Sequence, residues 1–368
     1  MSNHLTARTV FALFTMAFAG NVWSSGNPTI FGYERWEQRV IERHLDPHVV
    51  VYPFEATPEM MDWAKEKLQL YAQKDVLMQL TVLQNALLNT SYAFSYEKAK
   101  TLTAAEAFAA REGNCISFTS LFVAISRGLG IQTFLVAVRG APSVERVDGV
   151  TVVNQHVVAA YQSPRKIHIY DFYATSTEPY FYKRVIDDIT ASAIFHTNLG
   201  ADGIRRDDLD EARRQLEIAT TLVPNWAPAW ANLGVARFRM GDVDGALEAY
   251  RTSLLADPVN PTAFTNMAIA YRSLGREEEA QAALRAAAED TNSPFTLIAL
   301  ADADMVQGDL ESAQRYLRRA RRWDSSEPEV YDALARLANR EGDASKAGKY
   351  AHHAAELRRK QSKSMPVQ

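Results

Sequence analysis

The sequence predicts a mixed α+β domain followed by an all-α helical solenoid. In the first half, apolar residues recur at helical spacing up to Gly130 and at strand spacing after it. In the second half, Gly241, Gly275, Gly308 and Gly342 recur at steps of 34, 33 and 34 residues, the period of a helical repeat array. The expected boundaries are a signal peptide at 1–25, the α+β domain at 26–192, about five repeats at 193–357 and a polar tail at 358–368.

The composition is that of an ordinary globular protein. Apolar residues make up 47% and charged residues 23% of the 368 residues, which excludes a disordered, collagen-like or disulfide-scaffold protein. The formal net charge is −4, whereas a protein that binds nucleic acid non-specifically usually carries a strong basic excess. We therefore expect no nucleic-acid partner.

The first residues have the parts of a secretory signal peptide. Arg8 supplies positive charge, an apolar stretch runs from Thr9 to Ala19, and the last three residues of that stretch form an A-x-A cleavage pattern. Beyond this segment, no apolar run reaches the ~18 residues of a membrane-spanning helix. We therefore expect a periplasmic or secreted protein that contacts the membrane only during export.

The helices of the α+β domain have clear start signals. Thr57–Glu59 combines a capping hydroxyl, a proline at the first helical position and an early acid. Thr103 and Glu106 form a capping box. The segment Cys115–Ile125 is apolar at helical spacing and ends at Gly128, so the only cysteine of the chain lies at the start of a buried helix. A single cysteine permits no intrachain disulfide.

The region after Gly130 has the pattern of strands. The expected strands are Ile131–Arg139, Val150–Tyr161 and Lys166–Phe172. A polar loop, Gly140–Gly149, separates the first two and is expected to contribute to the substrate pocket. His156 lies within the second strand and Asp171 near the end of the third.

Cys115, His156 and Asp171 together permit nucleophilic catalysis by a thiolate. The positive end of a helix stabilises a thiolate, and a neighbouring imidazole pairs with it and later protonates the leaving amine. A carboxylate on the adjacent strand, about 4.8 Å away, can orient the ring and fix its tautomer. His168 is a rival imidazole, but strand alternation puts it on the face opposite Asp171. Each residue alone has a structural explanation, and the combination favours a catalytic or formerly catalytic role.

These segments resemble the transglutaminase-like superfamily, which has a papain-like fold. The matching segments are Thr103–Phe108, Gly113–Phe118, Arg127–Ile131, Gln155–Val158 and Tyr170–Phe172. The resemblance implies Cys115 as the nucleophile, His156 as the general base and Asp171 as the residue that orients the ring. Asn114 and Gln155 flank the key positions and are further candidates for an oxyanion hole or for positioning the thiol. Because the family contains peptidases, amidases and inactive members, the reaction stays open.

The repeats resemble the tetratricopeptide repeat over about Ala193–Leu357. The clearest copy, Ala227–Asn260, contains Trp230, Leu233, Gly234, Gly241, Asp242, Ala246, Tyr250, Asp257 and Pro258 at the characteristic positions. Each unit is expected to be two short antiparallel helices with small residues where they cross, and stacking of the units makes a continuous core. Such an array usually offers a concave groove to a peptide or protein. The other possibilities are that it braces the first domain or dimerises.

We expect neither a metal nor a cofactor. His44 and His48 are four residues apart, but Pro47 lies between them, and the adjacent His352 and His353 point in different directions on a helix. The sequence has no glycine-rich phosphate loop that opens a helix and no acidic loop of the EF-hand type.

The leading hypothesis is an exported acyl-transfer enzyme that hydrolyses or transamidates a peptide or amide bond through a Cys115 thioester. Hydrolysis is slightly favoured because water is the more abundant acceptor outside the cytoplasm, and the array would recruit or position a partner. The alternative is a non-catalytic periplasmic scaffold with a degenerate transglutaminase-like domain. The reactivity of the thiol against pH, and its response to the loss of His156, distinguishes the two hypotheses.

Overall fold

The computed structural model describes residues 32–88, 95–97, 99–139, 144–153, 156–172, 182–258, 260–290 and 294–364. The expected signal peptide at 1–25 lies outside these residues. Within them, an α+β domain is followed by an array of helix pairs, as the sequence predicts. No helix of the described part is both long enough and apolar enough to cross a bilayer.

The described residues of the α+β domain form five helices that precede or surround the sheet. Their bounds are α1 Tyr33–Ile41, α2 Pro58–Leu68, α3 Val76–Leu88, α4 Ala104–Ala110 and α5 Cys115–Gly128. The predicted caps are confirmed, because Thr57 Oγ1 accepts the Met60 N–H at 3.3 Å and Thr103 forms a reciprocal capping box with Glu106. All residues of α5 from Cys115 to Ser126 are buried, so this helix is the centre of the domain.

A four-stranded antiparallel sheet packs against α5. The strands of the domain are β1 Ser95–Tyr96, β2 Glu112–Gly113, β3 Thr133–Arg139, β4 Val144–Val147, β5 Val150–Val153, β6 His156–Gln162, β7 Ile167–Tyr170 and β8 Tyr182–Ile186. The main sheet has the order β7-β6-β3-β8, while β1 pairs with β2 and β4 pairs with β5. One face of β6, with Val157 and Ala159, shares the hydrophobic core of α5.

The segment predicted as a polar loop forms most of a β-hairpin. β4 and β5 pair around Asp148 and Gly149, whose φ angles of 48° and 85° are those that a two-residue hairpin turn requires. The strand expected at Val150–Tyr161 is accordingly two strands, β5 and β6, which belong to different sheets. The prediction failed because the charged residues around the Asp-Gly turn obscured an alternation of apolar and polar positions.

The array contains five helix pairs within the described residues. They are α6 Asp188–Arg205 with α7 Leu209–Leu222, α8 Ala227–Arg239 with α9 Val243–Ala256, α10 Pro261–Ser273 with α11 Glu277–Asp290, α12 Pro294–Gln307 with α13 Leu310–Trp323, and α14 Pro328–Arg340 with α15 Ala344–Ser364. The four glycines that set the period have φ between 73° and 87°, a conformation that glycine adopts without strain. Asp207, with φ 61°, takes the same place in the first pair.

Close helix crossing explains the small residues of the repeat. A Cβ added to Gly234 on α8 would lie 2.3 Å from Cε1 of Tyr250 on α9, and Tyr250 is fully buried. The predicted division of the repeat into small residues at crossings and large residues that fill the gaps is confirmed at this pair.

The array is joined directly to the α+β domain. Asp187 caps α6 by accepting the Thr190 N–H at 2.8 Å, so the helix starts at residue 188 and the boundary expected at 192 falls inside it. At this joint, Arg127 near the end of α5 donates to both carboxylate oxygens of Asp188, at 2.8 and 3.0 Å. At the other end, α15 runs to Ser364 and includes much of the expected polar tail at 358–368.

Candidate active site

Cys115 is the first residue of α5 and lies at the positive end of a 14-residue helix. Asn114 caps this helix: its Oδ1 accepts the N–H of Ser117 at 3.2 Å and the Ser117 hydroxyl at 3.1 Å. Cys115 keeps 9% of its surface exposed, so the residue is buried but not sealed from solvent. A thiolate at this position is stabilised by the helix that carries it.

A link between α5 and β6 brings His156 to the cysteine. Thr119 lies one turn after Cys115, and its hydroxyl donates to the carbonyl of Val157 at 3.0 Å. His156 immediately precedes Val157, is 6% exposed, and makes a side-chain hydrogen bond with Cys115. The thiol and the imidazole are therefore in contact although the two residues are 41 positions apart in the sequence.

Strand register brings Asp171 to the other side of the ring. Ala159 on β6 pairs with Tyr170 on β7, and the same register continued by one residue sets Asp171 opposite Val158 and diagonal to His156. Nε2 of His156 and Oδ1 of Asp171 are 3.1 Å apart.

The Asp171 backbone is held by packing on both sides. Gln84 on α3 donates its side-chain N–H to the Asp171 carbonyl at 2.9 Å. The rings of Tyr170 and Phe172 contact that of Phe122 on α5, with centroids 4.9 and 5.4 Å apart. The carboxylate is thus carried by a segment that is anchored to the same helix as the cysteine.

The partners of His156 determine its protonation state. Burial alone would lower the pKa of the imidazole, but hydrogen bonds and negative charge from Asp171 and Cys115 outweigh burial and raise the pKa to about 10. Because a carboxylate only accepts, the Nε2–H donates to Asp171 and Nδ1 is the ring nitrogen available to the thiol. The site therefore favours the imidazolium form of His156.

The first helix of the array is linked to the start of α5. The N–H of Thr101 donates to Oδ2 of Asp202 on α6 at 3.1 Å, and Nδ2 of Asn114 donates to the Thr101 hydroxyl at 2.8 Å. Burial raises the pKa of Asp202, and an ion pair with Arg205 opposes this effect. Asn114 thus ties the start of α5 to the segment before α4.

The other residues singled out by sequence do not enter the described site. Gln155 lies outside the described residues. His168 is at the far end of β7, where its Nε2 lies 3.1 Å from the Ser163 hydroxyl. In the part of the chain that the structure describes, no cluster of three or more His, Cys, Asp or Glu side chains is arranged to hold a metal ion.

Sequence reasoning missed two asparagines that contact the hairpin before His156. Asn232 on α8 and Asn266 on α10 hydrogen-bond the backbone of β5. Their 34-residue spacing, with Asn198 one step earlier, is visible in the sequence. That spacing identifies equivalent repeat positions but does not show what they face.

Two family models match the chain in the order that the resemblance implied. Residues 69–166 match the transglutaminase-like superfamily, and residues 200–261 and 231–294 match the tetratricopeptide repeat. The chain contains a transglutaminase-like domain joined to tetratricopeptide repeats. The transglutaminase-like match includes Cys115 and His156, and Asp171 follows five residues after its end.

Curated relatives share only a short segment with this protein. The heat-shock protein cognate co-chaperone sgt12 of Aspergillus fumigatus is 33% identical over 76 residues, which are 21% of this chain and 22% of that protein. The chloroplastic tetratricopeptide repeat domain-containing protein PYG7 of Arabidopsis thaliana is 36% identical over 77 residues, 21% of this chain and 25% of that protein. The chain thus spans a quarter or less of the length of these relatives.

Solved structures resemble less than half of the chain. MamA from Desulfovibrio magneticus RS-1 has 21% identity and a TM-score of 0.36, covering 46% of this chain and 96% of that chain. The pilF protein of Pseudomonas aeruginosa has 24% identity and a TM-score of 0.40, covering 46% of this chain and 77% of that chain.

Proposed function

We propose that this protein is an exported, thiol-dependent acyl-transfer enzyme that hydrolyses a peptide or amide bond. The observation that carries the proposal is the contact of His156 with both Cys115 and Asp171 at the N-terminus of α5. The transglutaminase-like domain supplies this site, and the repeats form a protein-binding module for a protein or peptide partner.

In the first half of the proposed reaction, the Cys115 thiolate attacks the carbonyl carbon of the substrate. A C–S bond forms and the carbonyl oxygen becomes an oxyanion, at the end of α5 where the first-turn N–H groups lie. The oxyanion then collapses, the C–N bond breaks, and the His156 imidazolium gives its proton to the leaving amine. The products are a thioester on Cys115 and a neutral imidazole.

In the second half, water attacks the thioester and His156 takes its proton. The C–S bond breaks, a carboxylic acid leaves, and the thiolate–imidazolium pair is restored. Asp171 holds the ring in one orientation through both halves, because its carboxylate accepts only from Nε2. An amine in place of water would give transamidation by the same steps.

The rate of Cys115 alkylation by iodoacetamide, measured from pH 5 to 9 on the full chain, tests the proposal. An ordinary thiol is only about 0.3% ionised at pH 6, so we expect His156→Ala to slow alkylation at pH 6 by about 100-fold. His168→Ala is the matched control, since this histidine lies in the same sheet without touching the cysteine, and it should leave the rate unchanged. A wild-type profile identical to that of His156→Ala would instead support the scaffold alternative.

Turnover distinguishes hydrolysis from transamidation. We expect the wild-type protein to release free amino groups from a denatured protein substrate, and Cys115→Ala to release none. Incorporation of a fluorescent primary amine into the same substrate would instead identify an amine as the acceptor.

Export is tested by the N-terminus of the mature protein. When this sequence is expressed in a Gram-negative host, we expect a periplasmic chain that has lost residues of the predicted signal peptide at 1–25, with the A-x-A pattern that ends at Ala19 as a cleavage point within it. A cytoplasmic chain that retains Met1 would contradict this part of the proposal.

A further inference from the structure

The β4–β5 hairpin of the α+β domain lies on the array face formed by α8 and α10. Val150 and Val152 are buried in the same hydrophobic core as Leu233 of the array. At the turn of the hairpin, Asp148 pairs with Arg239 of α8 at 2.7 Å. A segment of the α+β domain thus covers the part of the array formed by α8 and α10.

Two asparagines of the array bind the backbone of β5 as a neighbouring strand would. Oδ1 of Asn232 accepts the Val153 N–H at 2.9 Å, and its Nδ2 donates to the Val153 carbonyl at 2.8 Å. Asn266 binds Thr151 in the same way, at 2.8 and 2.7 Å. Asn232 and Asn266, which are 34 positions apart in the array, therefore bind two residues that are two positions apart on β5.

The register of the hairpin explains why these two residues are bound. With a two-residue turn, Val147 and Val150 form the hydrogen-bonded pair of the hairpin. Thr151 and Val153 then fall in non-hydrogen-bonded pairs, so their N–H and C=O groups point away from β4 and toward the array.

Burial makes these contacts costly to lose. Asn232 is fully buried and Asn266 is 1% exposed, so the backbone groups that they bind have no access to bulk water. A buried donor or acceptor left without a partner loses its hydrogen bond and gains none with water in exchange.

We propose that Asn232 and Asn266 are positioning residues for His156, so that the repeat array completes the catalytic site; this rests on the proposed function. Only two residues separate Val153 from His156, and three residue steps span at most ~11 Å. On the other side of His156, Thr119 holds the carbonyl of Val157. The backbone is therefore held at Val153 by Asn232 and at Val157 by Thr119, on either side of the ring that must face both the thiol and the carboxylate.

The test uses the full chain with Asn232→Ala, Asn266→Ala and the double variant. The first readout is the pH profile of Cys115 alkylation, and the second is hydrogen exchange of the backbone amides of residues 144–153. We expect the double variant to lose protection of the Thr151 and Val153 amides. We also expect its alkylation rate at pH 6 to fall about tenfold, toward that of His156→Ala.

Ser253→Ala is the matched control for loss of array stability. Ser253 lies on α9 in the same repeat as Asn232, is fully buried, and donates to the Ala227 carbonyl at 2.8 Å. The Ser253 hydroxyl also accepts from Asn260 at 3.1 Å, so both of these hydrogen bonds lie within the array and removal of the hydroxyl should leave the alkylation profile unchanged. An equal shift in Ser253→Ala would overturn the positioning role, because general loosening of the array would then explain the effect.

The single variants keep the proposal testable if circular dichroism shows that the double variant does not fold. Asn232 binds the backbone three residues before His156 and Asn266 five residues before it, so Asn232→Ala should have the larger effect on alkylation. Equal effects of the two single variants on alkylation would overturn the positioning role. Unchanged alkylation profiles despite lost amide protection would also overturn it.

The His156→Ala variant separates failure of the proposed function from failure of the positioning role. If His156→Ala left the alkylation profile unchanged, both would be contradicted. If only His156→Ala changed the profile, the positioning role alone would be contradicted.

Discussion

Two buried histidines, one in the candidate catalytic site and one at the joint between the domains, have opposite pKa shifts. His156 meets a carboxylate and a thiol, which raise its pKa to about 10 against the effect of burial. His196 on α6 is fully buried, and burial lowers its pKa to about 4, while a hydrogen bond to Gln215 and the charge of Glu211 oppose this only weakly.

The charge of the hydrogen-bond partners accounts for the difference. Nε2 of His196 accepts the Val51 N–H at 3.0 Å, so its Nδ1–H donates to the side-chain oxygen of Gln215. Both partners suit a neutral ring, whereas the partners of His156 suit a cation. Burial alone therefore does not determine the charge of a histidine; the charge of its hydrogen-bond partners does.

Asp171→Asn should have the largest effect, because it removes one of the two anionic partners of His156 while keeping the side-chain volume. The pKa of His156 should fall, since Asp171 contributes both a hydrogen bond and a charge that raise it. We expect turnover to fall by about 10³-fold or more, in line with the loss of orienting carboxylates in other triads. The measurement is initial rate at saturating substrate, with alkylation at pH 6 as the second readout.

Asp75→Asn is the control for Asp171→Asn. Asp75 is an exposed aspartate beside α3 that accepts the Met78 N–H at 2.9 Å, and its replacement should leave turnover unchanged. Equal turnover in wild type and Asp171→Asn would mean that the charge of the Asp171 carboxylate does not matter for the reaction. It would contradict the argument that anionic partners give His156 its role.

Arg127→Ala tests whether the ion pair between Arg127 and the buried Asp188 stabilises the joint between the two domains. Asp188 is fully buried, and Arg127 donates to both of its oxygens. Removing one member of a buried pair leaves the other uncompensated, so we expect a loss of about 3 kcal/mol in the free energy of unfolding, measured in urea. Arg315→Ala breaks the exposed pair with Glu311 and should cost less than about 1 kcal/mol. Similar losses for the two variants would contradict the burial argument.

His196→Gln tests the neutral histidine through the pH dependence of stability. Between pH 6.5 and about 4 the unfolded chain binds a proton at this residue and the folded chain does not, so stability falls as the pH falls. The lowered pKa of His196 corresponds to about 3 kcal/mol in the free energy of unfolding. This contribution is present above pH 6.5 and is lost as the pH falls to about 4. Glutamine can accept from Val51 and donate to Gln215 without titrating.

We therefore expect the stability difference between wild type and His196→Gln to change by about 3 kcal/mol between pH 7 and pH 4. Urea unfolding at a series of pH values measures it. His156→Gln is the control, because the raised pKa of His156 makes its contribution change mainly above pH 6.5 and with the opposite sign, so His156 does not lower stability as the pH falls to 4. Parallel pH curves for wild type and His196→Gln would contradict the neutral state of His196.

The sequence predicted those parts of the structure that depend on local signals. The period of the glycines predicts the array. The first repeat has Asp207 in place of the glycine, and Asp207 adopts the same positive φ. The position of Cys115 follows from the apolar spacing of α5 and its start at Asn114. The contact of Cys115, His156 and Asp171 was expected from the resemblance, because adjacent strands and a buried helix limit where these side chains can lie.

Contacts between residues far apart in the sequence place the hairpin on the array. Such contacts also give the two histidines their different partners. Asn232 and Asn266 bind residues 79 and 115 positions away, and His196 binds the backbone of Val51, 145 positions away. No spacing in the sequence encodes which surface of the array faces the α+β domain, so these contacts form only when the two domains pack.

Asn114→Ala should have the smallest effect and tests whether the helix start acts on the thiol itself. The cap at Asn114 and the cap at Thr103 are both N-caps of helices in the same domain, and loss of either should cost about 1 kcal/mol in urea unfolding. Only Asn114 lies next to Cys115, so Asn114→Ala should also slow alkylation at pH 6 by a few-fold, whereas Thr103→Ala should not. If both variants slowed alkylation equally, the effect would reflect general stability, and the imidazolium would account for the reactivity of the sulfur without a contribution from the helix cap.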